Sequence, residues 1–216
     1  MRASATVDDP FIRAGLVRLQ QEAFAEGGLG YGADEVVSTS VPRQVMGQRS
    51  EDILRNGVWG YRNGFLDFSH EAMDAWVLEL RRHLYVVGAG TWVTYRFHVF
   101  PAADGRLEVF DEEIFPLDES GKPDWASSPA TAGDLHGELV AFPRTVDNIP
   151  AWMWEVFRAE GVMPPVYNPV LRTVDWKNRR LPVTEDGTDF SVDDMVIDPS
   201  KEPGFFSKIG RKLFGS

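Results

Sequence analysis

The chain of 216 residues is long enough for one large domain or two small ones, and its 43% hydrophobic and 12% aromatic content is enough to fill a sizeable core. It has no cysteine, so disulfides, thiolate zinc sites and cysteine nucleophiles are excluded. No apolar run reaches the roughly 18 to 20 residues that a membrane helix needs, and the N-terminus from Met1 to Ser4 lacks the apolar core of a signal peptide. We therefore expect a soluble cytoplasmic protein.

The net charge of −11 is unevenly distributed along the chain. Residues 101–147 carry eleven acidic and three basic side chains, so −8 of the −11 lies in this segment. Such a concentration argues against a nucleic-acid-binding surface there, because phosphates would be repelled. It favours either a solvated face that keeps the protein soluble or a surface that binds a basic protein.

Asp9 and Pro10 predict the start of a first helix, since an acidic cap precedes a proline at the first helical position. One face of this helix is apolar and consists of Ile12, Leu16, Leu19 and Ala23. Residues 36–46 are rich in β-branched side chains but contain Pro42, which predicts an edge strand or an extended connection. Residues 49–55 are predicted to form one helical turn.

A second helix is predicted after Ser69, because Met73, Trp76, Val77, Leu80 and Leu84 recur at spacings of three and four. Residues 92–100 then alternate as a strand, and residues 106–111 form a return strand. If residues 101–105 make a five-residue turn, Phe100 pairs with Arg106, and His98 pairs with Glu108. That register also brings the two apolar rows of the hairpin together.

The second half of the chain is predicted to contain more loop. Residues 118–143 are rich in turn residues, with a short strand over residues 138–142. Asn148 and Pro150 predict a helix that ends at Gly161, and residues 170–174 are predicted as a strand. Residues 182–203 are acidic and poor in aromatic side chains, so we expect them to be irregular.

These elements predict a single α+β domain over residues 1–203, in which helices pack on an antiparallel sheet. Residues 204–216 form a basic amphipathic tail, whose apolar face consists of Phe205, Phe206, Ile209 and Leu213. The tail is predicted to dock on its own domain, on a partner or on a membrane surface.

Few residues have the pattern of a catalytic or metal site. His98 with Glu108 is the one acid/base pair that the hairpin predicts, and an ordinary cross-strand ion pair is the alternative. The carboxylates from Glu108 to Glu113 include ligands that Mg²⁺ or Ca²⁺ accepts, but they lack the spacing of a calcium loop. Phosphate-binding loops and serine-hydrolase elbows are missing from the sequence. We predict no cofactor and no metal.

The sequence of elements from the second helix to the return strand resembles the core of the YezG-type immunity proteins. The residues that carry the resemblance are the strand at residues 92–97, the turn at Asp104 and Gly105, and the acidic strand at residues 107–111. The likeness covers about a quarter of the chain, and both ends depart from it. Proteins of this type are acidic and neutralise a toxin, commonly a nuclease, in bacterial toxin systems.

The resemblance implies a non-enzymatic protein whose acidic face covers the basic active site of a partner. The candidate contacts are Glu108, Asp111, Glu112, Glu113, Asp118 and Glu119, with Trp92 and Phe100 as aromatic anchors. Two alternatives remain. One is an enzyme that uses His98 with Glu108 or Asp111, and the other is a scaffold protein that docks through its tail.

Overall fold

The computed structural model describes residues 3–5, 9–42, 48–63, 70–114, 129–176, 179–191 and 195–196. Within them lie the α-helices α1 (Pro10–Phe24), α2 (His70–His83), α3 (Ala132–Ala141) and α4 (Ala151–Ala159), and a 3-10 helix (Val146–Asn148). The strands are β1 (Ala3–Ala5), β2 (Glu35–Val41), β3 (Gln48–Arg55), β4 (Val58–Asn63), β5 (Thr94–Val99), β6 (Arg106–Phe110), β7 (Tyr167–Asn168), β8 (Thr173–Trp176), β9 (Arg179–Thr184), β10 (Gly187–Thr188) and β11 (Met195–Val196). None of the described helices is long and apolar enough to span a bilayer.

The strands form two antiparallel sheets. The first has six strands in the order β1-β6-β5-β2-β3-β4, and the second has five, in the order β10-β9-β8-β7 with β11 also paired to β9. Helices pack on both sheets, so the predicted α+β class with an antiparallel sheet is confirmed. The second sheet was not predicted, because its strands are short and carry charged residues that resemble a loop sequence. Of its strands only the one expected over residues 170–174 was anticipated, and the structure has a turn at residues 170–172 and β8 from Thr173 onward.

Helices α1 and α2 cover one face of the first sheet. Asp9 caps α1 by accepting hydrogen bonds from the amides of Phe11 (2.8 Å) and Ile12 (3.2 Å), as its position before Pro10 predicts. The predicted apolar face of α1 is buried, and it consists of Ile12, Leu16, Leu19 and Ala23. Full burial of each large apolar side chain against the sheet stabilises the fold by about 1.5 to 3 kcal/mol.

Helices α3 and α4 form a second layer that joins the two sheets. Met153 and Phe157 of α4 are fully buried against α3. At the end of α3, Val140 and Phe142 pack on the second sheet. A buried ion pair connects the layers, because Arg81 of α2 donates to both carboxylate oxygens of Glu138 on α3.

Several predictions of secondary structure are wrong. Residues 36–41 belong to β2, a central strand between β5 and β3, because Pro42 follows the strand instead of interrupting it. Residues 49–55 are strand, since Asn56 and Gly57 have φ values of 51° and 76° and close a hairpin rather than end a helix. Residues 138–141 are helical. Residues 182–203 include the end of β9 and the strands β10 and β11, so they are not wholly irregular.

The β5–β6 hairpin has the predicted faces but a different register. His98 pairs with Arg106 and Arg96 with Glu108, so the prediction is wrong by two residues. The connection is longer because α1 holds it: the Gln20 side chain donates to the carbonyls of Phe100 (2.6 Å) and Ala103 (3.3 Å). A shift of two residues leaves each side chain on its predicted face.

Candidate functional site

Charged residues converge on the face of the first sheet that points away from α1 and α2. Along β5, Tyr95, Phe97 and Val99 face the helices, so Arg96 and His98 face the other way. The neighbouring strands add carboxylates and a second arginine on the same face. We call this group the charged cluster, and it consists of Glu35, Arg96, His98, Arg106 and Glu108.

His98 is the centre of the charged cluster. Its Nδ1 atom lies 2.9 Å from Oε1 of Glu35 on β2, and its Nε2 atom lies 3.5 Å from Oε2 of Glu108 on β6. The Arg106 Nη2 atom lies 3.2 Å from the same Nδ1. With only 9% of its side chain exposed, the imidazole links three strands. Such an arrangement can act as an ion pair or as a proton carrier between two carboxylates.

Arg96 extends the charged cluster toward β2 and β3. Its Nη1 atom lies 3.7 Å from Oε2 of Glu108, and its Nε donates to the Thr39 hydroxyl at 3.4 Å. The guanidinium also lies over the Phe110 ring at 5.2 Å from the centroid. Burial raises the pKa of Asp52 above its ordinary value, and the positive charge of Arg96 opposes that rise. Positive and negative groups therefore alternate across this face.

The charged cluster does not form a metal centre. Among the described residues, no group of three or more histidine, aspartate or glutamate side chains is placed to hold a metal ion. In the charged cluster, the two ring nitrogens of His98 approach different carboxylates on opposite sides of the imidazole. A shared ion would require the ligand atoms to converge on one point.

A second concentration of charge lies where β6 ends and α3 begins. We call it the acidic pole, and it consists of Asp111, Glu112, Glu113, Asp134 and Glu160. Three of these carboxylates bind the N-terminal end of α3. Glu113 accepts from the amide of Ala130 (3.0 Å), Glu160 accepts from that of Ala132 (2.8 Å), and Asp134 completes a capping box with Thr131. The positive end of the helix dipole favours this placement.

Asp111 has a structural role at the acidic pole. Its carboxylate accepts from Nη2 of Arg144 at 2.7 Å and from Nη1 at 3.4 Å. Arg144 also donates to the carbonyls of Thr91 and Asn148, which fixes it in the buried junction between the layers. The Trp152 indole donates to the Asp111 carbonyl at 2.8 Å. Glu112, by contrast, is exposed.

The candidate contacts predicted from the sequence are distributed over several places. Glu108 belongs to the charged cluster, whereas Asp111, Glu112 and Glu113 belong to the acidic pole. Trp92 is half-buried against the core under α1 and α2, and Phe100 lies at the opposite end of the hairpin from the acidic pole. Two further acidic candidates, Asp118 and Glu119, and the tail face formed by Phe205, Phe206, Ile209 and Leu213 lie outside the described residues.

Sequence reasoning missed several residues of these sites, and they are Glu35, Arg96, Arg106, Asp134, Arg144 and Glu160. Glu35 was missed because β2 was not predicted as a central strand beside His98. Arg144 carried no pattern that predicts its pairing with Asp111. Asp134 had a usable signal, since Thr131 and Asp134 have the spacing of a capping box.

In comparisons with known proteins, no family model matches the chain and no curated protein matches it.

Proposed function

We propose that the protein is a non-enzymatic binding protein that holds a basic protein partner at the acidic pole. The observation that carries the proposal is the uneven charge: −8 of the −11 lies in residues 101–147, and the acidic pole collects four carboxylates of that segment beside Glu160. Arg144 neutralises one of them, Asp111. Of the other four, Glu112 is exposed, and Glu113, Asp134 and Glu160 accept hydrogen bonds from backbone amides at the start of α3.

The contacts of the acidic pole support a rigid surface. Glu113 and Glu160 are held by backbone amides, and Asp134 is held by its capping box. Carboxylates that are fixed before binding lose little side-chain entropy when a cationic partner arrives. Long-range attraction to such a surface also raises the rate of association, and this effect weakens with salt.

The resemblance to the YezG-type immunity proteins suggests the class of partner. A toxin nuclease has a basic active site because it binds phosphates, and an acidic surface of this kind is complementary to it. We therefore propose toxin neutralisation as the biological role, in the bacterial cytoplasm. Aromatic anchoring is assigned to Trp92, which is half-buried beside the end of β6.

Capture of the native partner tests this proposal. The tagged full-length protein is incubated with extract of its own cells at low and at high salt, and the retained proteins are identified by mass spectrometry. We expect one basic protein in stoichiometric amount that is released at high salt. A complex that is insensitive to salt, or the lack of a stoichiometric partner, would contradict the proposal.

A second candidate function is acid/base catalysis at the charged cluster, which the geometry of His98 favours. Its Nε2 atom is buried and has no hydrogen bond in the described part of the chain, although Glu108 lies 3.5 Å away. Asp111 does not join this group, because it is bound to Arg144. The candidate predicts that His98→Ala abolishes an activity while the circular dichroism spectrum is retained. Unchanged binding of the basic partner by His98→Ala would favour the first proposal.

A further inference from the structure

The strand β4 lies at one edge of the first sheet. Among the described strands it pairs with β3 alone. Val58 is 69% exposed and Trp59 is 52% exposed, and Gly60 is exposed as well, so the first half of the edge is open to solvent. An exposed edge with apolar side chains is a template for pairing with another strand.

The backbone groups that β4 offers can be assigned from its hairpin. Asn56 and Gly57 form a two-residue turn, so the flanking residues Arg55 and Val58 are a hydrogen-bonded pair. Hydrogen-bonded and non-hydrogen-bonded pairs alternate along an antiparallel ladder. The amide and carbonyl groups of the residues in between therefore point away from β3, and these residues are Trp59, Tyr61 and Asn63.

We propose that β4 pairs antiparallel with β4 of a second copy of this chain, around a two-fold axis at Tyr61. This register places Tyr61 opposite Tyr61 of the second copy and Trp59 opposite Asn63 of the second copy. All three outward-pointing residues are then paired in both copies, which gives six main-chain hydrogen bonds. A two-fold axis at Gly60 would satisfy only four, because Asn63 would lie beyond the paired region.

The charged residue of β4 does not oppose a second copy as the occupant. Arg62 is the single charged residue of β4, and the register places it opposite Gly60 of the second copy instead of opposite another arginine. The acidic pole, which would repel a second copy, lies at the end of β6. Four strand spacings, about 19 Å, separate β6 from β4 in the sheet. Homodimerisation and partner binding therefore use separate surfaces.

The turn between β3 and β4 lies outside the paired segment, because the register pairs residues 59–63 of the two copies. Arg55, the last residue of β3, donates to the carbonyls of Leu29 (2.9 Å) and Tyr31 (3.2 Å), which holds the loop after α1 beside this turn. Tyr31 is 59% exposed there. An interface of one strand and a few side chains is smaller than that of an obligate dimer, so the dimer is expected to depend on protein concentration.

Sedimentation velocity of the full-length protein, from about 10 μM to about 1 mM, tests the dimer. We expect a monomer–dimer equilibrium that Trp59→Lys weakens at least about tenfold, because lysine on an edge strand opposes pairing. The matched control is Val170→Lys, which changes an 87% exposed valine between β7 and β8 and should leave the equilibrium unchanged. A wild-type protein that stays monomeric, or equal effects of the two substitutions, would overturn the proposal.

Cysteine crosslinking tests the register, and the chain has no cysteine of its own. Opposite residues of a hydrogen-bonded pair have Cα atoms about 5.5 Å apart, within the range of a disulfide. Tyr61→Cys should therefore form a covalent dimer under mild oxidation. In the same dimer the two Val58 positions are about 20 Å apart, so Val58→Cys should not. Crosslinking of both variants at the same rate would contradict the two-fold axis at Tyr61.

Discussion

Arg144 and Asp111 form a two-pronged ion pair, in which Nη2 and Nη1 of the arginine lie 2.7 Å and 3.4 Å from the two carboxylate oxygens. Arg144 follows α3, and Asp111 follows β6. The pair therefore fixes the end of the hairpin to the helical layer. Asp111 therefore has a structural contact, as Glu113, Asp134 and Glu160 do at the start of α3, which leaves exposed Glu112 as the best candidate for contact with a partner.

Asp111→Asn should destabilise the protein. Arg144 is 4% exposed, and the substitution leaves its charge without a carboxylate. Because the Asp111 side chain is 38% exposed and water can partly replace it, we expect a cost of about 2 kcal/mol, below that of a fully buried pair. Denaturant unfolding measures the difference. Glu112→Gln is the control and should change the stability by less than about 0.5 kcal/mol. Equal unfolding midpoints for the two variants would show that the pair has no structural role.

Gly90→Ala should be more costly than Gly161→Ala. Both glycines have a positive φ, 90° and 69°, so both substitutions strain the backbone by about 1 kcal/mol. A Cβ atom on Gly90 would also lie 2.3 Å from Nε of Arg144, whereas a Cβ atom on Gly161 would meet nothing within 4 Å. Thermal unfolding should therefore show a clearly lower midpoint for Gly90→Ala, and similar midpoints would contradict the close packing of Arg144 on Gly90.

The buried pair of Arg81 and Glu138 should show strong coupling in a double-mutant cycle. Either single change to leucine leaves one charge buried without its partner, which costs about 3 to 5 kcal/mol. The combined change removes both charges and should cost much less than the sum of the two. Additive costs, measured by denaturant unfolding, would show that the two side chains do not depend on each other.

The pair of Asp9 and His83 should contribute to stability in a pH-dependent way. Their side chains are 2.6 Å apart, and the hydrogen bond from His83 is the main reason why the pKa of Asp9 is lowered. Folding then favours the charged carboxylate, so this contribution is complete above the ordinary pKa of 3.8 and is lost as the pH falls through the lower folded value.

Asp9→Asn tests this contribution, because asparagine still caps the helix but carries no charge. Near pH 7 the wild-type protein should be more stable than the variant by about 1 kcal/mol or less, since both side chains are about a third exposed. The difference should shrink as the pH falls below the ordinary pKa of 3.8. A difference that stays constant with pH would show that the charge of Asp9 does not stabilise the fold.

Local signals in the sequence were sufficient for three of the four described helices, α1, α2 and α4, whereas α3 was missed because the capping box of Thr131 and Asp134 was not recognised. The cap at Asp9, the apolar face of α1 and the stop after α4 depend on residues within one or two turns, and the structure confirms them. The faces of β5 and β6 were also predictable, because alternation in a strand follows from the backbone alone.

Contacts between distant residues could not be predicted in the same way. The register of the hairpin depends on Gln20 of α1, which binds the connection at Phe100 from 80 residues away. The place of β2 between β5 and β3 depends on the pairing of whole strands. The contact between Glu35 and His98 depends on the same pairing, because it joins β2 to β5. The ion pair of Arg144 with Asp111 likewise joins two elements that no local pattern connects.

The most direct test of partner binding at the acidic pole compares two substitutions with the same change of charge. They are Glu112→Lys at the acidic pole and Asp104→Lys at the other end of the hairpin. Both side chains are exposed, and affinity for the captured basic protein is measured at low salt. If the acidic pole is the binding surface, Glu112→Lys should weaken binding by at least about tenfold and Asp104→Lys by less than about twofold. Equal losses for both, or no loss for Glu112→Lys, would contradict it.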